Sequence, residues 1–169
     1  IHIQDPKVDL NHFDFIVAPE HDGIEGENVI STKGAIHYLT ENEISENKDY
    51  LNSFIKKDER KIWTLILGGP TKYYDYSTKN MKHIFTSLYK LLKKYDFQLV
   101  VIPSMRTPIN TIHYAKEFFG DDHTIIMDVD KKAYLSALAI SENITVTCDS
   151  SSMISEAALT GKPIYIASI

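Results

Sequence analysis

The run Ile144-Thr145-Val146-Thr147-Cys148, Asp149-Ser150-Ser151-Ser152-Met153-Ile154-Ser155-Glu156-Ala157-Ala158-Leu159-Thr160-Gly161-Lys162 and Pro163-Ile164-Tyr165-Ile166-Ala167 decides the fold. Its first segment is β-branched and apolar, as a strand buried on both faces must be. A small polar junction follows, then a helical pattern stopped by Gly161 and Pro163. The last segment is again apolar. Strand, helix and strand in this order form a βαβ unit, whose two strands lie parallel.

The same alternation runs backward to Ile62, with further strands expected at Ile62–Leu67, Gln98–Ile102 and Thr124–Met127. Met81, Ile84, Phe85, Leu88, Leu91, Leu92 and Tyr95 repeat at helical spacing and predict one apolar helix face. A second helix is expected from about Pro108 to Phe119, with Thr107 as N-cap and Gly120 as its stop. A third covers roughly Lys131–Glu142 and a fourth roughly Ser151–Thr160. The fold class is α/β, a Rossmann-like domain on a parallel sheet whose usual strand order would be 3-2-1-4-5.

Before Ile62 the pattern changes. Phe13–Ala18 and Asn28–Ser31 read as strands around the turn Glu20-His21-Asp22-Gly23. Thr40 and Glu43 form a capping box before a helix carrying Ile44, Tyr50, Leu51, Phe54 and Ile55. The expected organisation is the end of a preceding α/β domain over 1–40, a connecting helix and linker over 41–60, and the nucleotide-binding domain over 61–169. With a start at Ile1 and a stop directly after an apolar segment, the chain is expected to be a fragment.

Bulk properties exclude several classes. The 169 residues carry a net charge of −5 with no basic stripe, so nucleic acid is not an expected partner. No apolar run reaches the ~18 residues of a membrane span. The single cysteine, Cys148, cannot form an internal disulfide; it is expected to be buried and inert in its strand, in a cytoplasmic protein. Arg60 and Arg106 are the only arginines among 18 basic side chains. Arg60 lies in the charged stretch Lys56–Lys61 and is expected to be solvated.

Three strand-to-helix junctions suit an anion. Gly68 and Gly69 would let backbone pass close to a ligand with amides exposed, or would simply make a turn. Ser104, Arg106 and Thr107 set two hydroxyls and a guanidinium at a helix start, where the dipole favours negative charge and arginine can pair bidentately with phosphate. Their alternative is a surface arginine beside an ordinary cap. Ser150, Ser151 and Ser152 offer amides and hydroxyls at the next helix start. Glu156 follows one turn later on the same face as Ser152, placed to accept from ribose hydroxyls. Helix capping and an exposed charge are the plainer explanations. With the usual strand order, the first and third junctions flank one crevice, with Arg106 on the adjoining strand.

Other chemistries find no support. No G-x-G-x-x-G or Walker loop follows a strand, and the seven histidines lack metal-ligand spacing, so no metal site is expected. His21 and Asp22 stay open as a polar turn that could serve a cleft from the preceding domain.

Together these segments resemble a family. The runs His2-Ile3-Gln4-Asp5-Pro6, Pro19-Glu20-His21-Asp22, Gly68-Gly69-Pro70, Ser104-x-Arg106-Thr107-Pro108 and Asp149-Ser150-x-Ser152-Met153-x-Ser155-Glu156-Ala157 look like bacterial-type members of the mitochondrial-fission, or elongated-mitochondria, family. That family is similar to GT-B glycosyltransferases and to nucleotide-sugar epimerases. The resemblance implies a nucleoside diphosphate-sugar as ligand, held without a tightly bound cofactor by Ser150, Ser151, Ser152 and Glu156, with Gly68, Gly69 and Arg106 assisting. It implies a GT-B glycosyltransferase-like protein, a nucleoside-diphosphate-sugar epimerase on the same scaffold, or a non-catalytic protein with a protein or envelope partner. A catalytic base, where such enzymes have one, usually lies in the preceding domain.

Overall fold

The computed structural model describes residues 1–169. The chain divides into two compact units, Ile1–Tyr38 and Leu39–Ile169.

In the first unit, β1 (His2–Ile3), β2 (Ile16–Pro19) and β3 (Val29–Thr32) form a parallel sheet in the order β1-β2-β3. Strand β1 escapes the sequence reading because two residues carry no alternation. The turn after β2 is a 3-10 turn over Glu20–Asp22 closed by Gly23, whose φ of 67° an L side chain adopts only at a cost. The Asn28 amide donates to the Leu10 and Phe13 carbonyls at 2.9 and 2.7 Å and so fixes the entry to β3.

The second unit contains α1 (Glu41–Glu46), β4 (Lys61–Leu67), α2 (Thr78–Tyr95), β5 (Phe97–Pro103), α3 (Ile109–Phe119), β6 (Thr124–Ile125), α4 (Lys131–Ile140), β7 (Asn143–Thr147), α5 (Ser151–Ala158) and β8 (Ile164–Ala167). Its five strands are all parallel in the order β6-β5-β4-β7-β8, which is 3-2-1-4-5 in chain sequence. Side chains alternate across the sheet, and both faces are covered. Trp63, Leu65 and Leu67 of β4 pack with Phe85, Leu88 and Leu92 of α2 and Phe119 of α3. Ile66 points the other way, onto Leu135 and Leu138 of α4 and Ala157 of α5.

The connecting helix differs from expectation. A single helix through Ile55 is replaced by α1 and a separate 3-10 turn over Tyr50–Ser53. Thr40 does cap α1, accepting from Glu43 N–H at 3.3 Å, while the Glu43 carboxylate pairs with Lys131 rather than completing the box. The helix stops at Asn47, whose side chain bonds back to the Glu43 carbonyl at 2.8 Å, a local bond that competes with helix continuation.

Strand β8 is apolar in sequence but lies at the sheet edge, where it leaves Tyr165 and Ile166 about half exposed. An apolar groove of about 250 Å³ runs beside it, lined by Trp63, Leu88, Leu91 and Tyr165 among others. Arg60 is not simply solvated. Its guanidinium meets Asp58 at 2.7 Å and Asp122 at 3.0 Å, and Lys56 with Arg60 holds the Asp122 carboxyl down at about 2. No helix is long and apolar enough to cross a membrane.

Candidate active site at the carboxyl edge of the larger sheet

Parallel register delivers three junctions to one edge. Leu67 pairs with Pro103, and Ile66 with Val146, so the chains leaving β4, β5 and β7 emerge side by side. Those chains are Gly68-Gly69, Ser104–Pro108 and Cys148–Ser152. The three loops expected to share one edge of the sheet do so, because the strand order is the expected 3-2-1-4-5.

The loops are tied together by hydrogen bonds to main-chain groups. Gly68 N–H donates to the Thr147 hydroxyl at 2.8 Å, and Gly69 N–H to Asp149 Oδ2 at 2.9 Å. The Ser104 and Thr107 hydroxyls donate to the Gly68 carbonyl at 3.1 and 2.6 Å. Both glycines are required by close approach. A Cβ at Gly68 would overlap the Asp149 carboxylate, and one at Gly69 would overlap the Arg106 carbonyl.

Two expectations are corrected here. Gly69 N–H does not open onto a ligand, since Asp149 already accepts its proton. Thr107 is not the N-cap of α3. That position belongs to Pro108, which has no side-chain cap bond, and the Thr107 hydroxyl instead accepts from Ser104 N–H at 2.8 Å and braces the β4 exit. The Thr107 hydroxyl adds a second donor to carbonyls of the β4 exit that Ser104 already bonds, and so ties the two loops together.

Arg106 lies between the loops. Its Nη2 donates to Asp149 Oδ2 at 2.9 Å and its Nη1 to the Gly69 carbonyl at 3.2 Å, yet 45% of the side chain remains exposed while Asp149 is fully covered. Burial works to raise the Asp149 pKa. Donation from Tyr76, Gly69 N–H and Thr147 and the charge of Arg106 outweigh it and leave the carboxyl below its ordinary value. Tyr76 OH reaches Asp149 Oδ1 at 2.7 Å, and burial together with that carboxylate raises the Tyr76 pKa strongly.

On the third junction, Ser150 is the N-cap of α5, its hydroxyl accepting from Met153 N–H at 3.5 Å. Ser151 and Ser152 occupy the first turn, where amides have no acceptor within the helix. Glu156 is half-buried, and its Oε2 accepts from Tyr134 OH of α4 at 2.6 Å, which fixes the carboxylate while leaving Oε1 for another donor. Burial, with the Glu156 carboxylate adding to it, raises the Tyr134 pKa strongly.

Cys148 is half-buried rather than buried, because β7 ends at Thr147 and the thiol sits just past it. The Cys148 side chain, by the charge of its thiolate form and by its hydrogen bond, raises the Tyr74 pKa. In the first unit, Asp22 Oδ2 accepts from Asp5 N–H at 3.1 Å and its Oδ1 lies 3.8 Å from His21 Nε2. No group of three or more His, Cys, Asp or Glu side chains is arranged to hold a metal ion.

Asp149, Tyr76 and Tyr134 were missed as site residues. Asp149 stood in the quoted motif, but its partners Arg106, Tyr76 and Gly69 lie 43, 73 and 80 positions away, and no local pattern reports such pairings.

Comparison with known proteins gives a consistent frame. The family model described as Mitochondrial fission ELM1 matches residues 1–169. The Mitochondrial fission protein ELM1 of Arabidopsis thaliana is 24% identical over 191 residues, covering 98% of this chain and 44% of its own length. Among solved structures, UDP-GlcNAc 2-epimerase of Methanocaldococcus jannaschii, in complex with UDP-GlcNAc and UDP, superposes with a TM-score of 0.61 at 16% identity, over 90% of this chain and 45% of that one. S. aureus MnaA, in a co-structure with UDP, gives 0.55 at 18% identity over 89% and 41%. The chain thus spans less than half the length of these relatives, and the likeness establishes the Rossmann-like fold of GT-B proteins.

Proposed function

Because the chain belongs to the Mitochondrial fission ELM1 family and its larger unit has the GT-B Rossmann-like fold, we propose that this unit holds the nucleoside diphosphate of a nucleotide-sugar. One observation carries the reading: Arg106, half exposed and anchored through Asp149, adjoins the N-terminus of α5 at the carboxyl edge of a parallel sheet. The diphosphate takes the Ser151 and Ser152 amides and the outward N–H groups of Arg106, where the helix dipole and the guanidinium act on the same charge. Ser150 shapes that helix start, and Glu156 Oε1 accepts from the ribose. Gly68, Gly69, Ser104 and Thr107 set the loops and make no ligand contact of their own. The same groups stabilise a departing diphosphate, as glycosyl transfer requires.

Epimerisation on this scaffold is the second reading, favoured by the UDP-GlcNAc 2-epimerase named among the structural neighbours. Both readings place the protein in the cytoplasm, where nucleotide-sugars are substrates.

Calorimetric titration of the full-length protein with UDP, UDP-GlcNAc and pyrophosphate tests the site. Arg106→Lys weakens all three by roughly ten- to a hundredfold, about 1.5–3 kcal/mol, since lysine cannot make the bidentate contact. Glu156→Gln weakens UDP and UDP-GlcNAc but not pyrophosphate. No binding of any of them at millimolar concentration leaves a protein-partner role as the remaining alternative.

A further inference from the structure

Asp149 is the one fully covered carboxylate of the site, and every oxygen it has is engaged. Oδ1 accepts from Tyr76 OH, and Oδ2 accepts from Gly69 N–H and from Arg106 Nη2. Its own side chain has no exposure, so it has no face left for a ligand. It packs so closely on Gly68 that not even a methyl group fits between them. Arg106 is held at two points, Asp149 and the Gly69 carbonyl. Two of its five N–H groups are thereby used, and the others belong to a side chain that stays 45% exposed.

We propose that Asp149 is the positioning residue of the site: it never meets the ligand, and its carboxylate holds the Arg106 guanidinium in the one orientation that presents the remaining N–H groups to an anion. The proposal rests on the diphosphate reading above. It makes a prediction opposite in sign to simple electrostatics. A carboxylate beside an arginine repels an incoming anion, so if charge alone mattered, neutralising Asp149 would tighten binding. If orientation dominates, neutralising it frees a long, flexible side chain that must then be ordered at the moment of binding, and affinity falls.

Arg60 and Arg106 are the only arginines of these 169 residues, and their guanidinium signals are assigned in the full-length protein by their loss in Arg60→Lys and Arg106→Lys. In nitrogen-15 NMR of the full-length protein, the wild-type Arg106 guanidinium shows slow rotation, as does Arg60, held by Asp58 and Asp122. A freely rotating Arg106 in the wild type overturns the proposal without recourse to any variant. In Asp149→Asn, Arg106 rotates freely while Arg60 does not change. Calorimetry with pyrophosphate then gives an affinity about tenfold lower for Asp149→Asn. The double variant Asp149→Asn with Arg106→Lys binds no more weakly than the weaker single one, because both changes act through the same group. Unchanged or tighter binding by Asp149→Asn, or losses that add, overturns the positioning role. Failure of the wild type itself to bind pyrophosphate or UDP overturns the diphosphate reading instead, so the two failures are distinguishable.

Discussion

Gly69→Ala adds one methyl group, and the surroundings decide what it costs. The added carbon meets the Arg106 carbonyl, which is backbone rather than a movable side-chain tip. That backbone cannot retreat freely. Ser104 N–H is bonded to the Leu67 carbonyl at 3.0 Å, and the Ser104 and Thr107 hydroxyls are bonded to the Gly68 carbonyl. Overpacking of this kind costs about 1–3 kcal/mol, and each hydrogen bond stretched open to relieve it costs about 1 kcal/mol more. The expected loss is ~2–4 kcal/mol, or a fall in Tm of roughly 5–15 °C for a chain of this size. Gly161→Ala is the control. There nothing lies within 4 Å of an added Cβ, and only the φ of 63° resists substitution, at a cost of roughly 1–2 kcal/mol. Urea and thermal unfolding of both variants would measure the difference. A loss below about 1 kcal/mol at Gly69, or a larger loss at Gly161, would refute the steric account of the β4 exit.

Three further outcomes follow from the same structure. His123 accepts from Leu99 N–H through Nδ1, leaves Nε2 without a partner, and has its pKa lowered from 6.5 by burial, so below pH 6.5 the unfolded chain binds a proton that the folded one refuses. Stability should fall as pH drops through that window, and the slope in urea midpoints between pH 7.5 and 5.5 should flatten in His123→Asn; an equal slope would assign it elsewhere. Ser150→Ala should cost about 1 kcal/mol as loss of the α5 N-cap, with Ser151→Ala costing clearly less, and the reverse order would contradict the cap assignment. Cys148, being half-buried, should be labelled by a small maleimide in the native state at a rate that low urea does not change. A rate that tracks global unfolding would show the thiol to be shielded after all.

The sheet was legible in the sequence because its central strands are covered on both faces, so each of them reads as a continuous apolar run bounded by turn residues. Ile62–Leu67 and Gln98–Ile102 were placed to within a residue for that reason. Strand β1 and the broken helix around Asn47 were not, since two residues have no period and a side-chain bond to backbone is invisible to hydrophobic spacing. At the site, Ser150 and Arg106 could be found from their position at helix starts. The fate of Gly69 N–H and of Thr107 could not, because both are decided by partners brought in from other strands.

The central position of β4 has a consequence in time. Its neighbour β5 follows in the chain after a single helix, but its other neighbour β7 arrives much later, and the bond from Trp63 Nε1 to Thr145 Oγ1 spans 82 residues. Contacts of such separation are slow to form because the intervening chain must first be ordered. Asp149 comes in with β7, so a nascent or partly refolded chain can have β4, α2 and β5 in place and still lack the carboxylate that joins its loops. Anion affinity should therefore appear only in the last kinetic phase of refolding, making the ligand itself a reporter of when the molecule is finished.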